Sequence, residues 1–363
     1  MKNNIPKILH IETGMHLYGG AKQVYYLLKG LKDKSFGENI LVCPKNSDIS
    51  KNCAGLCKIY PIYMYGDLDI LFLFNLLKLI KKERPDIIHV HSRRGADLWG
   101  GLAAKLSKTK SVITRRVDNP ENRYLLQLKY SFFDEIVSIS KGIEKILKKQ
   151  GIKKRIKIIP SAVDYNFYHQ KCNKNFFLKE FSLPKNVLTV GMIAQFIPRK
   201  GHEFLIEAVP HIIQQIPDVL FLLFGKGPLL NEIKIKIEKY QLENHIKIIG
   251  FRQDLEKIIP CLDLIVHPAF MEGLGVSLIQ ASSASVPIVA SAVGGIPEIV
   301  HHNVNGLLFK KGDKKEFINK TVFLLKNKSI RQKMGLKGRE IVKKYFSIEN
   351  MVDKYISLYS KML

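Results

Sequence analysis

Long apolar runs are missing from this sequence, which argues against a membrane-spanning protein. No stretch of about 18–20 uninterrupted apolar residues occurs, and the most apolar run, Ile70–Ile80, contains Asn75 and Lys78. Residues 1–9 lack an apolar core followed by a small-residue cleavage site, so no secretory signal is predicted. We therefore expect a protein that is made in the cytoplasm and stays there.

Cysteine is scarce, and its pattern predicts neither a disulfide framework nor a zinc site. The cysteines are odd in number and scattered in spacing. Cys53 and Cys57 have no second pair of cysteines or histidines at the spacing of a zinc site. We expect reduced thiols at all five positions, which are Cys43, Cys53, Cys57, Cys172 and Cys261.

Acidic residues are also few: 32 Asp and Glu stand against 58 Lys and Arg, a net charge of +26. Residues 1–165 hold 30 basic and 15 acidic residues, so +15 of this charge lies in less than half of the chain. The excess favours a negatively charged partner: nucleic acid, anionic lipid or a phosphorylated substrate. Nucleic acid is not favoured, because no recognition helix or aromatic RNA-binding signature is present. A lysine-rich surface without a specific partner remains open.

What the sequence does contain is a regular alternation of short apolar runs with amphipathic stretches. Short β-branched runs between helices indicate parallel strands buried on both faces of a sheet. In the first half the predicted strands are Lys7–Ile11, Ile40–Cys43, Ile87–His91, Ser111–Thr114, Glu135–Ser138 and Lys157–Ile159, with helices at Gly19–Leu31 and Leu71–Lys82. In the second half they are Leu188–Ile193, Val219–Phe224, Ile246–Ile249, Leu264–His267 and Ile288–Ala290, with a helix at Gly201–Ile216.

These patterns predict an α/β protein with two Rossmann-like domains whose parallel sheets face a central cleft. The domains are residues 1–164 and 185–347, with a linker over 164–184, and a last helix over 348–363 completes the first domain. Ligands of doubly wound sheets bind at the carboxyl ends of the strands, where helix N-termini favour anions. A dinucleotide-dependent dehydrogenase is not favoured, because no G-x-G-x-x-G follows the first strand.

The most specific motif follows the strand that ends at His267. It reads Glu272-Gly-Leu-Gly275-Val-Ser-Leu-Ile-Gln280, and Val293-Gly-Gly-Ile-Pro-Glu298 comes after the next strand. Gly273 and Gly275 let the backbone approach a ligand at a helix N-terminus. This arrangement resembles the retaining family-4 glycosyltransferases of the GT-B fold, which share an E-x7-E motif. The similarity extends over nearly the whole chain.

The resemblance implies a role for each position of this motif. Glu272 contacts the hydroxyls of the donor sugar, and the backbone of Gly273, Gly275 and Val276 contacts the sugar and the diphosphate. The second acidic position, which binds ribose in the family, is Gln280 here. A neutral amide forms weaker hydrogen bonds than a carboxylate, so donor affinity is expected to be lower or the nucleotide to bind differently.

A second segment implied by the resemblance supplies positive charge to the donor diphosphate. Similar proteins carry an Arg after the strand that ends near Ile193 and a Lys shortly afterwards. Lys200 matches the lysine, whereas Gln195 occupies the arginine position. Arg199, beside Lys200, is a candidate for the missing charge. A solvent-exposed lysine is the alternative interpretation for Lys200.

Further positions resemble the family's donor site more weakly. Gly225 and Gly227 resemble a loop near the nucleotide, and Phe251 with Arg252 resembles a segment that lines the base. Glu298 resembles an acidic residue near the site, although a glutamate at a helix start is also explained by the helix dipole.

The first domain carries candidates for the donor phosphate and the acceptor. Gly19 and Gly20 resemble the N-terminal glycine loop of the family, whose amides approach the donor phosphate. His91 and His89 alternate on one strand, and we expect His91 to face the acceptor and His89 to be a core residue. Arg115 and Arg116 stand where related enzymes often carry a histidine, and they would suit an anionic acceptor.

The resemblance therefore implies sugar transfer from a UDP- or GDP-linked donor to a glycolipid or oligosaccharide of a bacterial envelope. It also implies that configuration is retained, without a cofactor or an essential metal. The alternative, motivated by Gln195 and Gln280, is a glycosyltransferase-like binding or scaffold protein with weakened catalysis.

A possible anionic membrane surface completes the expected partners. Residues 119–133 are predicted to form a helix with Asn119 as its cap and Pro120 in its first turn. Its apolar stripe and its charges, Arg123 and Lys129, would rest on anionic lipid. A core-facing amphipathic helix is the alternative.

Overall fold

The computed structural model describes residues 5–91 and 95–363, which form two compact units. Unit 1 extends to Ala162 and takes in Ile348–Leu363, whereas unit 2 is Val163–Ser347. The last helix therefore belongs to unit 1, as expected from its length. None of the helices within the described residues is long and apolar enough to cross a membrane.

Unit 1 is built on a parallel sheet of seven strands within the described residues, in the order β3-β2-β1-β4-β5-β6-β7. The strands are β1 Lys7–Ile11, β2 Glu38–Cys43, β3 Lys58–Pro61, β4 Ile87–Val90, β5 Lys110–Arg115, β6 Glu135–Ser138 and β7 Ile156–Ile158. The order reverses between β1 and β4, which is where doubly wound sheets place their ligands.

The helices of unit 1 form two layers on this sheet. They are α1 Gly19–Asp33, α2 Asp48–Asn52, α3 Ile70–Glu83, α4 Ala96–Ser107, α5 Arg123–Ser131, α6 Lys141–Lys149 and α15 Ile348–Met362. Helix α15 packs on α1, and a Cβ on Gly30 would lie only 2.3 Å from Val352 Cγ2. Glycine at position 30 therefore permits this close packing.

Unit 2 repeats the architecture with a six-stranded parallel sheet, in the order β10-β9-β8-β11-β12-β13. Its strands are β8 Leu188–Ile193, β9 Val219–Phe224, β10 Ile246–Gly250, β11 Leu264–His267, β12 Ile288–Ser291 and β13 Gly306–Phe309. Its helices are α7 Lys174–Glu180, α8 His202–Ile213, α9 Leu230–Lys239, α10 Leu255–Ile258, α11 Val276–Ser283, α12 Ile296–Ile299, α13 Lys314–Lys326 and α14 Lys328–Tyr345. Strands β9, β11 and β12 are buried along their length and β8 at all but its two end residues, which explains the uninterrupted apolar runs.

Two strands were missed in the sequence, and both lie at sheet edges. β3 is a partly buried Lys-Ile-Tyr-Pro segment, and β13 is a short Gly-Leu-Leu-Phe segment. Edge strands pair on one side only, so their apolar signal is short and includes residues such as proline that central strands exclude. The predicted cap of α5 was also wrong: the helix begins at Arg123, and the Asn122 side chain accepts from the N–H groups of Tyr124 and Leu125.

The segment expected to be a linker is instead packed into unit 2. Tyr168 and Phe177 are buried, and α7 lies within this segment. Cys172 forms a disulfide with Cys261, with 4.9 Å between their Cα atoms. The prediction of five reduced cysteines was therefore wrong, because the fold joins two positions that are 89 residues apart in sequence. The other three cysteines are free.

Candidate functional site

Close backbone packing shapes the carboxyl edge of the unit 2 sheet. A Cβ on Gly294 would lie 1.7 Å from the carbonyl oxygen of Glu272, and one on Gly201 would lie 2.1 Å from that of Pro268. Gly294 and Gly201 also have φ of +53° and +79°, values that favour glycine. The loops after β8, β11 and β12 therefore pack directly on one another, and only glycine fits at the contacts.

The two glycines predicted near the nucleotide belong to the same packing. A Cβ on Gly225 would lie 2.0 Å from the carbonyl oxygen of Ala194, and one on Gly227 would lie 2.4 Å from that of Phe196. Both glycines let the loop after β9 pack against the loop after β8. The structure thus gives them a packing role, and their contact with a nucleotide remains a prediction.

A buried polar cluster lies within this edge. Glu272 Oε2 accepts from Lys200 Nζ at 2.5 Å and from His267 Nε2 at 2.8 Å. The side chains of Glu272 and Lys200 are only 11% and 10% exposed. Burial alone would raise the pKa of Glu272, but interactions with His267 and Lys200 lower it to about 2. Glu272 is therefore an ionised, purely accepting group beside a cation.

Two histidines of this cluster were not assigned a role from the sequence. His267 is the last residue of β11 and orients the Glu272 carboxylate five residues later. His202, the first residue of α8, is buried against Phe196, and neither ring nitrogen has a hydrogen-bond partner in the described part of the chain. Burial lowers the pKa of His202 to about 3. The role of His267 could have been predicted from its position, because it is an ionisable residue at the carboxyl end of a buried strand.

Helix α11 carries the rest of the motif. Gly275 has φ of +98° and precedes Val276, the first helical residue, and Gly273 is buried. One turn further on, Gln280 Nε2 donates to the hydroxyl of Tyr168 at 2.7 Å. Burial raises the pKa of Tyr168 to about 12, so its hydroxyl stays protonated. The segment expected to be a linker therefore supports the position predicted to bind ribose.

The remaining candidates of unit 2 occupy the neighbouring loops. Gln195 is exposed in the loop after β8, Arg199 is half-buried in the turn that holds Lys200, and Glu298 is in the first turn of α12. Phe251 is 49% exposed, with Lys226 Nζ 5.0 Å from its ring centroid. These placements are compatible with donor contacts, and the individual roles remain predictions.

A chain of side-chain hydrogen bonds crosses four neighbouring strands of the unit 1 sheet and reaches its carboxyl edge at His91 and Arg116. Arg116 Nη2 lies 3.4 Å from His91 Nδ1, His91 Nε2 lies 3.1 Å from His10 Nδ1, and His10 Nε2 lies 3.0 Å from Asn39 Oδ1. These contacts are consistent with donation from Arg116 through both imidazoles to the Asn39 carbonyl. Burial lowers the pKa of His10 to about 4 and that of His91 well below its ordinary value. Both rings are therefore neutral.

His89 is the core residue that its position predicted. Its Nδ1 lies 2.6 Å from the hydroxyl of Tyr359, and its Nε2 lies 2.7 Å from Thr114 Oγ1. Ring nitrogens of His10, His89 and His91 lie within 4.8 Å of one another, which is a spacing that a metal ion allows. Because both nitrogens of His89 are already hydrogen-bonded and Arg116 brings a positive charge beside His91, the three rings do not fit a metal ion.

The structure contradicts the acceptor role predicted for Arg115. Its side chain is 1% exposed and forms an ion pair with Glu121. Its Nε and Nη2 groups donate to the carbonyl oxygens of Val117 and Asn119. Arg115 therefore holds its own loop together, because a buried guanidinium must satisfy its donors internally. Arg116 is the neighbour that reaches the strand-edge network, and a Cβ on Gly20 would lie 3.7 Å from its Cδ.

Two parallel-stranded Rossmann-like units in one chain are the architecture of the GT-B fold, and unit 2 holds a paired lysine and glutamate at the carboxyl edge of its sheet. Residues 173–341 match the family described as glycosyl transferases group 1, and residues 18–167 match the glycosyltransferase family 4 description. The chain belongs to the family-4 type of glycosyltransferase.

Individual relatives agree with this assignment. An Escherichia coli UDP-Gal:α-D-GlcNAc-diphosphoundecaprenol α-1,3-galactosyltransferase is 28% identical over 81% of this chain and 80% of its own length. The lipopolysaccharide core biosynthesis glycosyltransferase LpsE of Rhizobium meliloti is 22% identical over 97% of this chain and 98% of its own length. Anabaena HepE, solved in complex with UDP, superposes with a TM-score of 0.85 at 19% identity, covering 98% of this chain and 100% of HepE.

Proposed function

We propose that this glycosyltransferase moves a sugar from a nucleotide-sugar donor to a glycolipid or oligosaccharide acceptor of a bacterial envelope, with retention of configuration. The observation that carries the proposal is the buried Lys200–Glu272–His267 cluster at the strand edge of unit 2. A fixed cation and an ionised carboxylate side by side suit a donor that combines a diphosphate with sugar hydroxyls.

Each group of the cluster has a distinct task in this reaction. Lys200 stabilises the negative charge that develops on the departing diphosphate, and this requires little reorganisation because the ammonium is already held in place. The ionised Glu272 accepts hydrogen bonds from sugar hydroxyls, and His267 holds its carboxylate in position. We assign no side chain as a general base: in a front-face displacement the departing phosphate takes the acceptor proton. No cofactor and no metal ion are needed in this scheme.

Relatives suggest the chemical class of donor and acceptor. The E. coli relative is named for UDP-galactose and a diphosphoundecaprenol-linked acceptor, and LpsE for lipopolysaccharide core synthesis. We accordingly propose a UDP-sugar as the first donor to test and a lipid-linked saccharide as the acceptor. With such an acceptor, the proposed place of action is the cytoplasm, at the inner face of the membrane.

The membrane role predicted for α5 needs revision in one respect. Lys129 is buried, and its Nζ pairs with Asp97 Oδ2 at 2.6 Å and with Glu121 Oε2 at 2.5 Å. It therefore offers no charge to lipid. The apolar stripe of α5 does face outward, since Tyr124 and Leu128 are 80% and 53% exposed.

The function is tested with the purified chain in two stages. A thermal-shift screen of UDP- and GDP-sugars identifies the donor, because a ligand that binds only the folded state raises its stability. Transfer from that donor to a diphosphate-linked lipid saccharide is then measured, and the anomeric configuration of the product is read by NMR. Lys200→Ala should lose transfer, whereas Lys234→Ala, on the exposed face of α9, should retain it. Stabilisation by no nucleotide sugar, or an inverted product, would contradict the proposal.

The scaffold alternative is not favoured. Both groups that the chemistry needs, Lys200 and Glu272, are present and held together, although Gln195 and Gln280 depart from the family pattern. A scaffold protein would bind the donor without turnover, so the same transfer assay separates the two hypotheses.

A further inference from the structure

Among the described residues of unit 1, the loop and helix that follow β3 expose more large apolar side chains than α5 does. Six large apolar side chains between residues 63 and 74 are exposed, namely Tyr63 (47%), Tyr65 (82%), Leu68 (86%), Ile70 (52%), Leu71 (67%) and Phe74 (57%). Single apolar residues are normal on a protein surface, whereas a contiguous group of this kind marks a contact surface.

The outward face of α3 changes from apolar to basic along its length. Leu71 and Phe74 occupy the first half of that face, and Lys78 and Lys81 occupy the second half. The opposite face, which includes Phe72 and Leu76, is fully buried. A helix with this division can insert its apolar end among acyl chains while its lysines remain at the level of lipid phosphates.

Tyrosines and a third lysine, Lys82, extend the basic end of the surface. A pocket of about 560 Å³ between β3 and α3 is lined by Tyr60, Tyr63, Tyr65, Lys78 and Lys82 among others. Tyrosine is enriched where a protein meets the lipid headgroups, because its ring is apolar and its hydroxyl is polar. The nearby Asp69 is occupied as the cap of α3, accepting from the N–H groups of Phe72 and Tyr65.

We propose that residues 63–82, the β3–α3 surface, dock unit 1 on an anionic lipid bilayer. The occupant is a lipid surface because exposed lysines adjoin the apolar side chains and the chain carries +26. On α5, Lys129 is buried and offers no charge to a lipid surface. The inference deepens the proposed function, on which it rests for the lipid-linked acceptor.

The protein contains its own reporter for this contact. Trp99 is the only tryptophan in the sequence, and its Nε1 donates to the carbonyl oxygen of Asp67, within the β3–α3 surface. Insertion of the surface should shift Trp99 emission to the blue, and lipids brominated on their acyl chains should quench it. Vesicles of mixed phosphatidylglycerol and phosphatidylcholine are compared with pure phosphatidylcholine, using the full-length protein.

Paired variants locate the contact. Leu71→Asn/Phe74→Asn should weaken binding to the anionic vesicles at least tenfold, because two side chains lose an apolar environment. Lys78→Glu/Lys81→Glu should also weaken it at least tenfold, since each lysine near an anionic surface contributes about fivefold. The matched controls are on exposed positions of unit 2: Ile235→Asn/Phe323→Asn and Lys234→Glu/Lys239→Glu should bind like the parent protein.

Four results would overturn the proposal. The first is that the parent protein does not bind anionic vesicles at low salt, and the second is that both β3–α3 variants bind as tightly as the parent protein. The third is that only Tyr124→Asn/Leu128→Asn, on α5, loses binding. The fourth is that Leu71→Asn/Phe74→Asn converts a dimer to a monomer without changing vesicle binding. Transfer to a short-chain, water-soluble acceptor is measured in parallel. If vesicle binding follows the variants but transfer is absent, the proposed function fails and the docking surface stands.

Discussion

The carboxyl edges of the two sheets share a topology but are built by different means. In unit 2 the edge is formed by loops that pack backbone against backbone, and its charged groups, Lys200 and Glu272, are paired. In unit 1 the edge is formed by neutral imidazoles, which are linked by side-chain hydrogen bonds to one arginine, Arg116. Among the described residues, the difference is that the unit 2 edge pairs a cation with a carboxylate, whereas the unit 1 network joins neutral imidazoles to a cation.

The glycines at the carboxyl edges of the two sheets also differ in the space around them. In unit 2, side chains at Gly201 or Gly294 would collide with backbone, whereas a Cβ at Gly19 in unit 1 meets nothing within 4 Å. Glycine in unit 2 is therefore required by the fold. Glycine at position 19 leaves open space at the start of α1, as expected where a ligand approaches a helix N-terminus.

Of the substitutions that test this difference between the units, removing the charge of Glu272 should have the largest effect on transfer rate and stability. We expect Glu272→Gln to lower the rate of sugar transfer about 100-fold or more, as is typical when a transition-state contact is lost. It should also lower the free energy of unfolding by about 3 kcal/mol, because Lys200 then stays buried without an ionised partner. Steady-state kinetics and urea denaturation measure the two effects, and unchanged transfer by a folded variant would remove Glu272 from the site.

The Lys200–Glu272 pair also predicts how the stability of the protein depends on pH. The pKa of Glu272 is lowered from 4.5 to about 2 in the folded protein. For a lowered carboxyl pKa, the added stability is complete above the unfolded pKa and is lost as pH falls towards the folded pKa. The stability difference between the parent protein and Glu272→Gln should therefore be constant near neutral pH and shrink between about pH 5 and pH 2. A difference that does not change over this range would contradict the assigned pKa.

Substituting the glycines should give the next largest effect on stability. Gly294→Ala should destabilise the protein by about 3 kcal/mol or more, since the new methyl group would overlap the Glu272 carbonyl at a positive φ. Gly19→Ala should change the free energy of unfolding by less than about 1 kcal/mol, yet weaken donor or acceptor binding if the space is used by a ligand. Denaturation and substrate titration of both variants separate the two roles, and equal stability losses would remove the contrast.

The difference between backbone packing in unit 2 and side-chain hydrogen bonds in unit 1 also explains which features could be predicted from the sequence. The central strands and the two Rossmann-like units were predicted because buried parallel strands leave local patterns, whereas the edge strands β3 and β13 were missed. Lys200 and Glu272 were each assigned to the donor from the family resemblance, and only the structure shows that they pair. The His10–His91–Arg116 network and the Tyr168–Gln280 contact were not predicted either, because each joins residues far apart in the chain through side chains alone. Arg115 and Lys129 were assigned to ligands from their charge, and only the fold shows that internal acids occupy them.

The histidine network of unit 1 should respond less strongly to substitution. Tyr359→Phe removes the hydroxyl that lies 2.6 Å from His89 Nδ1 and leaves that nitrogen buried without a partner. We expect a loss of about 1–2 kcal/mol in the free energy of unfolding. Phe323→Tyr, which adds a hydroxyl on the exposed face of α13, is the matched aromatic control and should be neutral. No loss in Tyr359→Phe would mean that water replaces the hydroxyl.

The smallest expected effect concerns the position where unit 2 departs from the family. Gln280→Glu restores a carboxylate where the family binds ribose, and a charged acceptor should bind a ribose hydroxyl more strongly than an amide does. The new carboxylate can accept from the Tyr168 hydroxyl, which stays protonated because burial raises its pKa to about 12. We therefore expect tighter donor binding by about 1 kcal/mol without a loss of stability. Calorimetry with the donor measures the gain, and Tyr168→Phe/Gln280→Glu shows whether Tyr168 holds the new carboxylate in place. If Gln280→Glu binds the donor equally or more weakly, the Gln280–Tyr168 pair positions the nucleotide in a way that a carboxylate cannot reproduce.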